Sequence, residues 1–151
     1  MLDDIDRRLL RHYQHAPDLG PAELALRAGL APATCARRLE RLRAAGIIRA
    51  NRAVIDWRAL GYAVEVSLRI ALDKTQPRAF DEFLSAARLV PEVLEIQTFL
   101  GRVDLRLSVI ARDMAHYQDL YRSAILTLPH IADIEALMHV ARIKSDEALP
   151  L

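Results

Sequence analysis

Arginine, rather than a nucleophile or a metal ligand, dominates the chemistry open to this sequence. Residues 32–52 carry Arg37, Arg38, Arg41, Arg43, Arg49 and Arg52 against a single acid, Glu40. A guanidinium is a planar fork that matches phosphate oxygens and the edge of guanine. The cluster therefore points to a nucleic acid. The first 56 residues hold ten arginines and seven acids, whereas residues 57–151 hold eleven bases and thirteen acids. A small basic module joined to a mildly acidic one fits a nucleic-acid reader with a second functional part.

The other reactive side chains are sparse. Cys35 is the only cysteine, which excludes an intrachain disulfide and a cysteine-based metal site. Its place among apolar positions makes it a small core filler. His12, His15, His116, His130 and His139 do not stand at tight metal-binding spacings with a second ligand. No glycine-rich phosphate loop or nucleophile elbow is present. We therefore assign no catalytic residue, metal or cofactor, and expect a non-enzyme.

These residues need a scaffold of ordinary globular composition: 151 residues, 52% apolar, 27% charged, net charge +1. The longest uncharged run, Ser123 to Ala132, is far short of the roughly twenty apolar residues of a membrane helix. Asp3, Asp4 and Asp6 lie where a secretory signal would be basic. The expectation is a soluble cytoplasmic protein.

Leu2, Ile5, Leu9, Leu10 and Tyr13 form a helical stripe, with acids in the first turn favouring the positive end of the helix dipole. Pro17 and Gly20 interrupt it, and Pro21 suits the start of a second, short helix ending at Ala28. Gly29 can take the left-handed conformation that closes it. Pro32 opens a third helix with Cys35, Leu39 and Leu42 inward and Arg37, Arg38 and Arg41 outward; Gly46 ends it. The small residues Ala25, Ala28 and Gly29 permit a close, steep crossing. Ile47–Ala50 and Arg52–Ile55 read as two short strands around Asn51. The whole is a winged helix-turn-helix whose third helix can enter a major groove.

From Tyr62 the apolar period becomes two. Val64, Val66, Leu68, Ile70 and Leu72 alternate with polar residues, as do Val103, Leu105, Leu107 and Val109; Val93–Leu100 and Ile134–Ile143 supply two more strands. A helix from Pro77 carries Phe80, Phe83 and Leu84. A second, capped by Asp113 and stopped by Pro129, carries Tyr117, Leu120, Tyr121, Ile125 and Leu128. The order βαββαβ is the ferredoxin-like unit: an α+β sandwich with helices on one face of an antiparallel sheet. Its open face would expose Leu137, Phe99 and Ile110 and so favours a dimer. The expected division is a DNA-binding domain at 1–55, a linker at 56–61, an effector-binding and oligomerisation domain at 62–144 and a tail at 145–151.

The segments "LDDIDRRLL", "LAPATCARRLERLRAAGII", "VIDWRALGY", "GRVD" followed by "DMAHYQDLY", and "LTLPHIADI" together resemble the Lrp/AsnC family of transcriptional regulators, in order over nearly the whole chain. The ending "ALPL" resembles the branch that includes cysteine-responsive regulators. The resemblance implies a transcriptional regulator that binds double-stranded DNA, responds to a small effector, often an amino acid, and assembles as dimers and then octamers. It places candidate DNA contacts at Thr34, Arg37, Arg38 and Arg41; the basic run adds Arg49 and Arg52 as further candidates. The resemblance places effector contacts at Thr98, Gly101, Arg102, Asp104, Met114, Leu137, Met138 and His139.

The effector chemistry is coherent for an α-amino acid. A glycine turn can offer N–H groups to a carboxylate, Asp104 can accept from an ammonium, and Met114 can form an adaptable wall. Alternatively, Asp104 pairs with Arg102 or Arg106 on the surface, and Met114 is core. Ala31 departs from the family, which often has Ser there; losing that cap costs roughly 1 kcal/mol of helix stability. Val103 stands where the family often has an aromatic residue, and Ile134 and Ala136 where it often has Thr, which implies a less polar pocket. Two competing readings are a haem-pathway decarboxylase of similar plan, recruiting His116, His139 and Arg102, and an effector-independent DNA-compacting protein.

Overall fold

The computed structural model describes residues 2–144 and 148–151. It falls into two compact units: residues 1–54 with 144–151, and residues 55–143. Residues 145–147 of the expected tail lie outside the described residues.

In the first unit, α1 spans Asp4–His15, α2 Pro21–Ala28 and α3 Pro32–Ala44. Asp3 caps α1 in a reciprocal box: its carboxylate accepts from the Asp6 amide at 2.7 Å, and the Asp6 carboxylate accepts from the Asp3 amide at 3.2 Å. Gly29, at φ 63°, closes α2 in the left-handed conformation. Ala31 gives α3 no side-chain cap, as its side chain requires. Leu9, Leu10, Tyr13, Leu24, Ala25, Ala28, Cys35, Leu39 and Leu42 form one core. Leu151 packs against its margin, and the Gln14 side chain exchanges two hydrogen bonds with the backbone of Leu149.

The expected strand pair at Ile47–Ala50 and Arg52–Ile55 does not form; neither segment is a strand. A two-stranded ribbon is marginal alone. Here the Asn51 side chain is drawn onto the Tyr13 hydroxyl, 2.9 Å away, and Val54 is left 93% exposed.

The second unit is a four-stranded antiparallel sheet in the order β2-β3-β1-β4, with β1 at Val64–Leu72, β2 at Val93–Thr98, β3 at Leu105–Ala111 and β4 at Ile131–Met138. Two helices accompany it, α4 (Ala79–Ala87) and α5 (Met114–Leu120), the latter continuing as a π-helical turn over Tyr121–Ile125. Val66, Leu68 and Ile70 on β1 and Leu105, Leu107 and Val109 on β3 pack with Phe83, Tyr117, Leu120 and Ile125.

The last strand begins three residues earlier than its alternation suggests and ends at Met138. His130, at φ 64°, turns the chain into β4, and its carbonyl accepts from the Asp73 amide at 2.8 Å. Within the expected linker at 56–61, residues 57–61 form a turn: the Leu60 and Tyr62 amides both donate to the Trp57 carbonyl. On the face away from the core, Ile110 is already buried, so Leu137 and Phe99 remain the more exposed of the expected apolar trio.

Candidate nucleic-acid interface and effector region

The two-helix turn α2–Gly29–α3 sets α3 with Cys35, Leu39 and Leu42 on the core side. Burial raises the Cys35 thiol pKa, which keeps it a neutral packing group. The arginines on the remaining surface do not form one uniform patch. Arg37 is exposed and has no ion-pair or hydrogen-bond partner among the described residues. Arg38 is engaged: Nη1 donates to Asp6 Oδ1 at 2.7 Å and to both Asp3 oxygens at 2.9 and 2.7 Å. Its side chain keeps only 18% exposure, while that of Asp6 is fully buried. Arg41 also closes on Asp6.

Three charges from α1 and α3 thus form a brace around Asp6. The Arg38 hydrogen bond holds the Asp3 carboxyl below its ordinary pKa, and the same bonds raise that of Arg38. Arg43 donates to the Tyr13 hydroxyl at 3.1 Å. Thr34 is half-buried in the first turn of α3, whereas Arg49 and Arg52 project from the exposed extended segment without partners among the described residues. The sequence could not separate Arg37 from its neighbour Arg38, because both lie outside the apolar stripe and only the α1–α3 packing brings Asp6 under one of them.

The expected effector residues occupy several environments. Thr98 ends β2, and Gly101 and Arg102 form an exposed turn. Asp104 is buried within this turn: Oδ2 accepts from the Leu72 amide at 2.9 Å and Oδ1 lies 3.4 Å from Lys74 Nζ. Its cation is therefore Lys74, not Arg102 or Arg106; Arg106 pairs with Glu95 instead. Met114 opens α5 at the surface and is not core. Leu137 is half-buried and Met138 exposed, and His139 Nδ1 lies 3.4 Å from Glu65.

A cavity of about 340 Å³ lies beside the turn, lined by Arg69, Ala71, Arg102, Val103, Asp133 and Glu135. Of the expected effector residues it contains Arg102. Arg69, Asp133 and Glu135 were not anticipated, although alternation places them on the polar side of β1 and β4. The cross-strand register then sets Arg69 opposite Glu135 and Ala71 opposite Asp133. Cations and carboxylates around one small cavity suit a zwitterion.

The model of the Lrp/AsnC ligand binding domain matches residues 65–149, and that of a winged helix-turn-helix DNA-binding domain matches residues 2–49. The chain belongs to the Lrp/AsnC family. It is 31% identical to an HTH-type transcriptional regulator of Sinorhizobium fredii, over 99% of this chain and 89% of that protein. It is 29% identical to the leucine-responsive regulatory protein of Haemophilus influenzae, over 99% and 90%. Among solved structures, a transcriptional regulator of Neisseria meningitidis in complex with L-methionine superposes with a TM-score of 0.93 at 27% identity, covering 99% of this chain and 97% of that one.

As an Lrp/AsnC-type protein, the chain is a DNA-binding transcriptional regulator with a ligand-binding domain. The relatives are named as regulators rather than enzymes. No helix among the described residues is long and apolar enough to cross a membrane.

Proposed function

We propose that the protein recognises specific double-stranded DNA through α3 and the segment that follows it, with affinity controlled by an α-amino acid. The observation that carries this reading is the contrast along α3: Arg37 is exposed and uncommitted while Arg38 and Arg41 brace the helix from beneath. Thr34 and Arg37 stand where a groove-entering helix makes contact, and Arg49 and Arg52 continue the free positive charge toward the phosphates. Arg38 and Arg41, proposed contacts on the family pattern, contribute mainly by holding α3 in place.

The effector reading is supported by the mixed-charge cavity beside the Gly101–Arg102 turn and by the relative bound to L-methionine. Thr98, Gly101, Arg102, Met114, Leu137 and Met138 remain the proposed surroundings of the amino acid, with Asp104 holding the turn in shape and His139 at its far edge. Dimers, and octamers built from them, are the proposed assembly; the half-buried Leu137 and the exposed Phe99 would gain cover in an oligomer.

The decisive experiment selects duplexes from a random pool and compares the best with a scrambled duplex. Sequence preference that disappears in Arg37→Ala, in a variant that melts like the parent, is the expected result. Equal affinity for all duplexes would support the compacting reading. A thermal-shift screen of the twenty amino acids tests the effector, since a ligand at 100 times its Kd adds about 2.7 kcal/mol.

A further inference from the structure

The chain crosses between its two units at two places, after Val54 and after Ile143. Close to both crossings, on the second-unit side, stands Glu65 of β1, whose side chain is 4% exposed. Arg58, four residues after the first crossing, reaches Glu65 Oε2 at 3.1 Å. Arg142, one residue before the last of the unit, reaches Oε1 at 2.5 Å. His139 approaches Oε1 at 3.4 Å, and its amide donates to the Glu65 carbonyl at 2.9 Å. Arg58 is further fixed by stacking on Trp57, 4.5 Å from the ring centroid, and its amide donates to Asp56 Oδ1 at 3.0 Å.

A buried carboxylate requires such partners, because isolation from both water and cations is costly. Here the partners come from the two segments that lead to the DNA-binding unit. We propose that Glu65 is a positioning residue for DNA recognition: it clasps both connections, and this restraint favours simultaneous engagement of two half-sites by an oligomer. This inference rests on the proposed DNA reading. Its physical content is restraint. With the clasp closed, neither segment swings independently, and two half-sites are engaged at a high effective concentration. With it open, each DNA-binding unit still folds and still binds one half-site.

Trypsin reads the clasp directly, since a protease must draw the arginine side chain into its pocket. The full-length protein is digested as the parent, Glu65→Gln and Glu65→Ala, and initial cleavage is followed after Arg58, Arg142 and Arg52. Arg52 is exposed and uncommitted, which makes it an internal control. In both variants we expect cleavage after Arg58 and Arg142 to rise about tenfold or more while Arg52 is unaffected, as opening equilibria set such rates. If Glu65→Ala fails to fold, the near-isosteric Glu65→Gln carries the test.

The second arm uses a selected two-half-site duplex and its single half. Half-site affinity should stay within about twofold, while the advantage of the double site falls at least about fivefold. Unchanged cleavage overturns the proposal, and so does faster cleavage with an undiminished double-site advantage. A parent protein with no preference for any duplex would defeat the DNA reading instead; the cleavage pattern would then still decide whether Glu65 holds the two segments.

Discussion

Arg38 of α3 and Asp6 of α1 meet at 2.7 Å, and the Asp6 side chain is wholly shielded from solvent. This α3 arginine is thereby a part of the fold before it is a part of any complex. Removing one member of a buried ion pair leaves the other charged, dry and uncompensated. We expect Arg38→Ala to destabilise the first unit, though not to the full extent of an unpaired buried carboxylate, because Arg41 still reaches Asp6. Denaturant unfolding followed by circular dichroism gives the value. A loss below about 0.5 kcal/mol, typical of a plain surface change, would show that the brace carries no weight.

Arg37 should behave in the opposite way. Arg37→Ala is expected to leave the denaturation midpoint unchanged and to weaken binding to a selected duplex by about 1–3 kcal/mol. Fluorescence anisotropy at fixed salt measures the loss.

Salt dependence should separate Arg49 and Arg52 from Arg37. Each is expected to neutralise a phosphate, so each substitution by Ala should reduce the slope of log affinity against log salt by about 1. The effect should be alike on selected and scrambled duplexes. A change confined to the selected sequence would instead assign these side chains to base edges.

Acid should loosen the α1 cap. The Asp3 carboxyl titrates below its unfolded value because Arg38 and the Asp6 amide hydrogen-bond its ionised form. A depressed acid contributes stability that is complete above the unfolded pKa, about 3.9, and is lost as pH falls through the folded one. Glu82, lowered by its 2.6 Å contact with His130, follows the same sign in the second unit. Melting temperatures measured from pH 6 to pH 2 should therefore decline on the acid side, and Asp3→Asn should flatten that decline.

Asp104 and Arg102 offer a test of the effector region. Asp104→Ala strands the buried Leu72 amide, a cost of about 1–3 kcal/mol, so it should lower the melting temperature with or without an amino acid. Arg102→Ala removes an exposed side chain that lines the cavity and should leave the melting temperature alone while abolishing the ligand-induced increase. An undiminished increase in Arg102→Ala would remove this cavity from the proposed site.

Local pattern settles whatever depends on neighbours along the chain. Pro21, Gly29 and Pro32 limit α2 and α3 through backbone geometry alone. The two-residue alternation of β1 and β3 separates core from open face because strand side chains must alternate. The resemblance of whole segments carried the family. What periodicity cannot express is pairing at a distance. Arg37 and Arg38 are equivalent in the sequence; they differ because Asp6, thirty-two residues from Arg38 along the chain, is packed beneath one and not the other. The sequence offers Asp104 either a ligand ammonium or Arg102 or Arg106, and only the fold brings Leu72 and Lys74 to it. The expected strands around Asn51 failed for the same reason in reverse: alternation was present, but Val54 stays exposed among the described residues. Only tertiary structure decides which charges are spent on the fold, since burial and distance, not residue type, set the cost of leaving a charge unpaired.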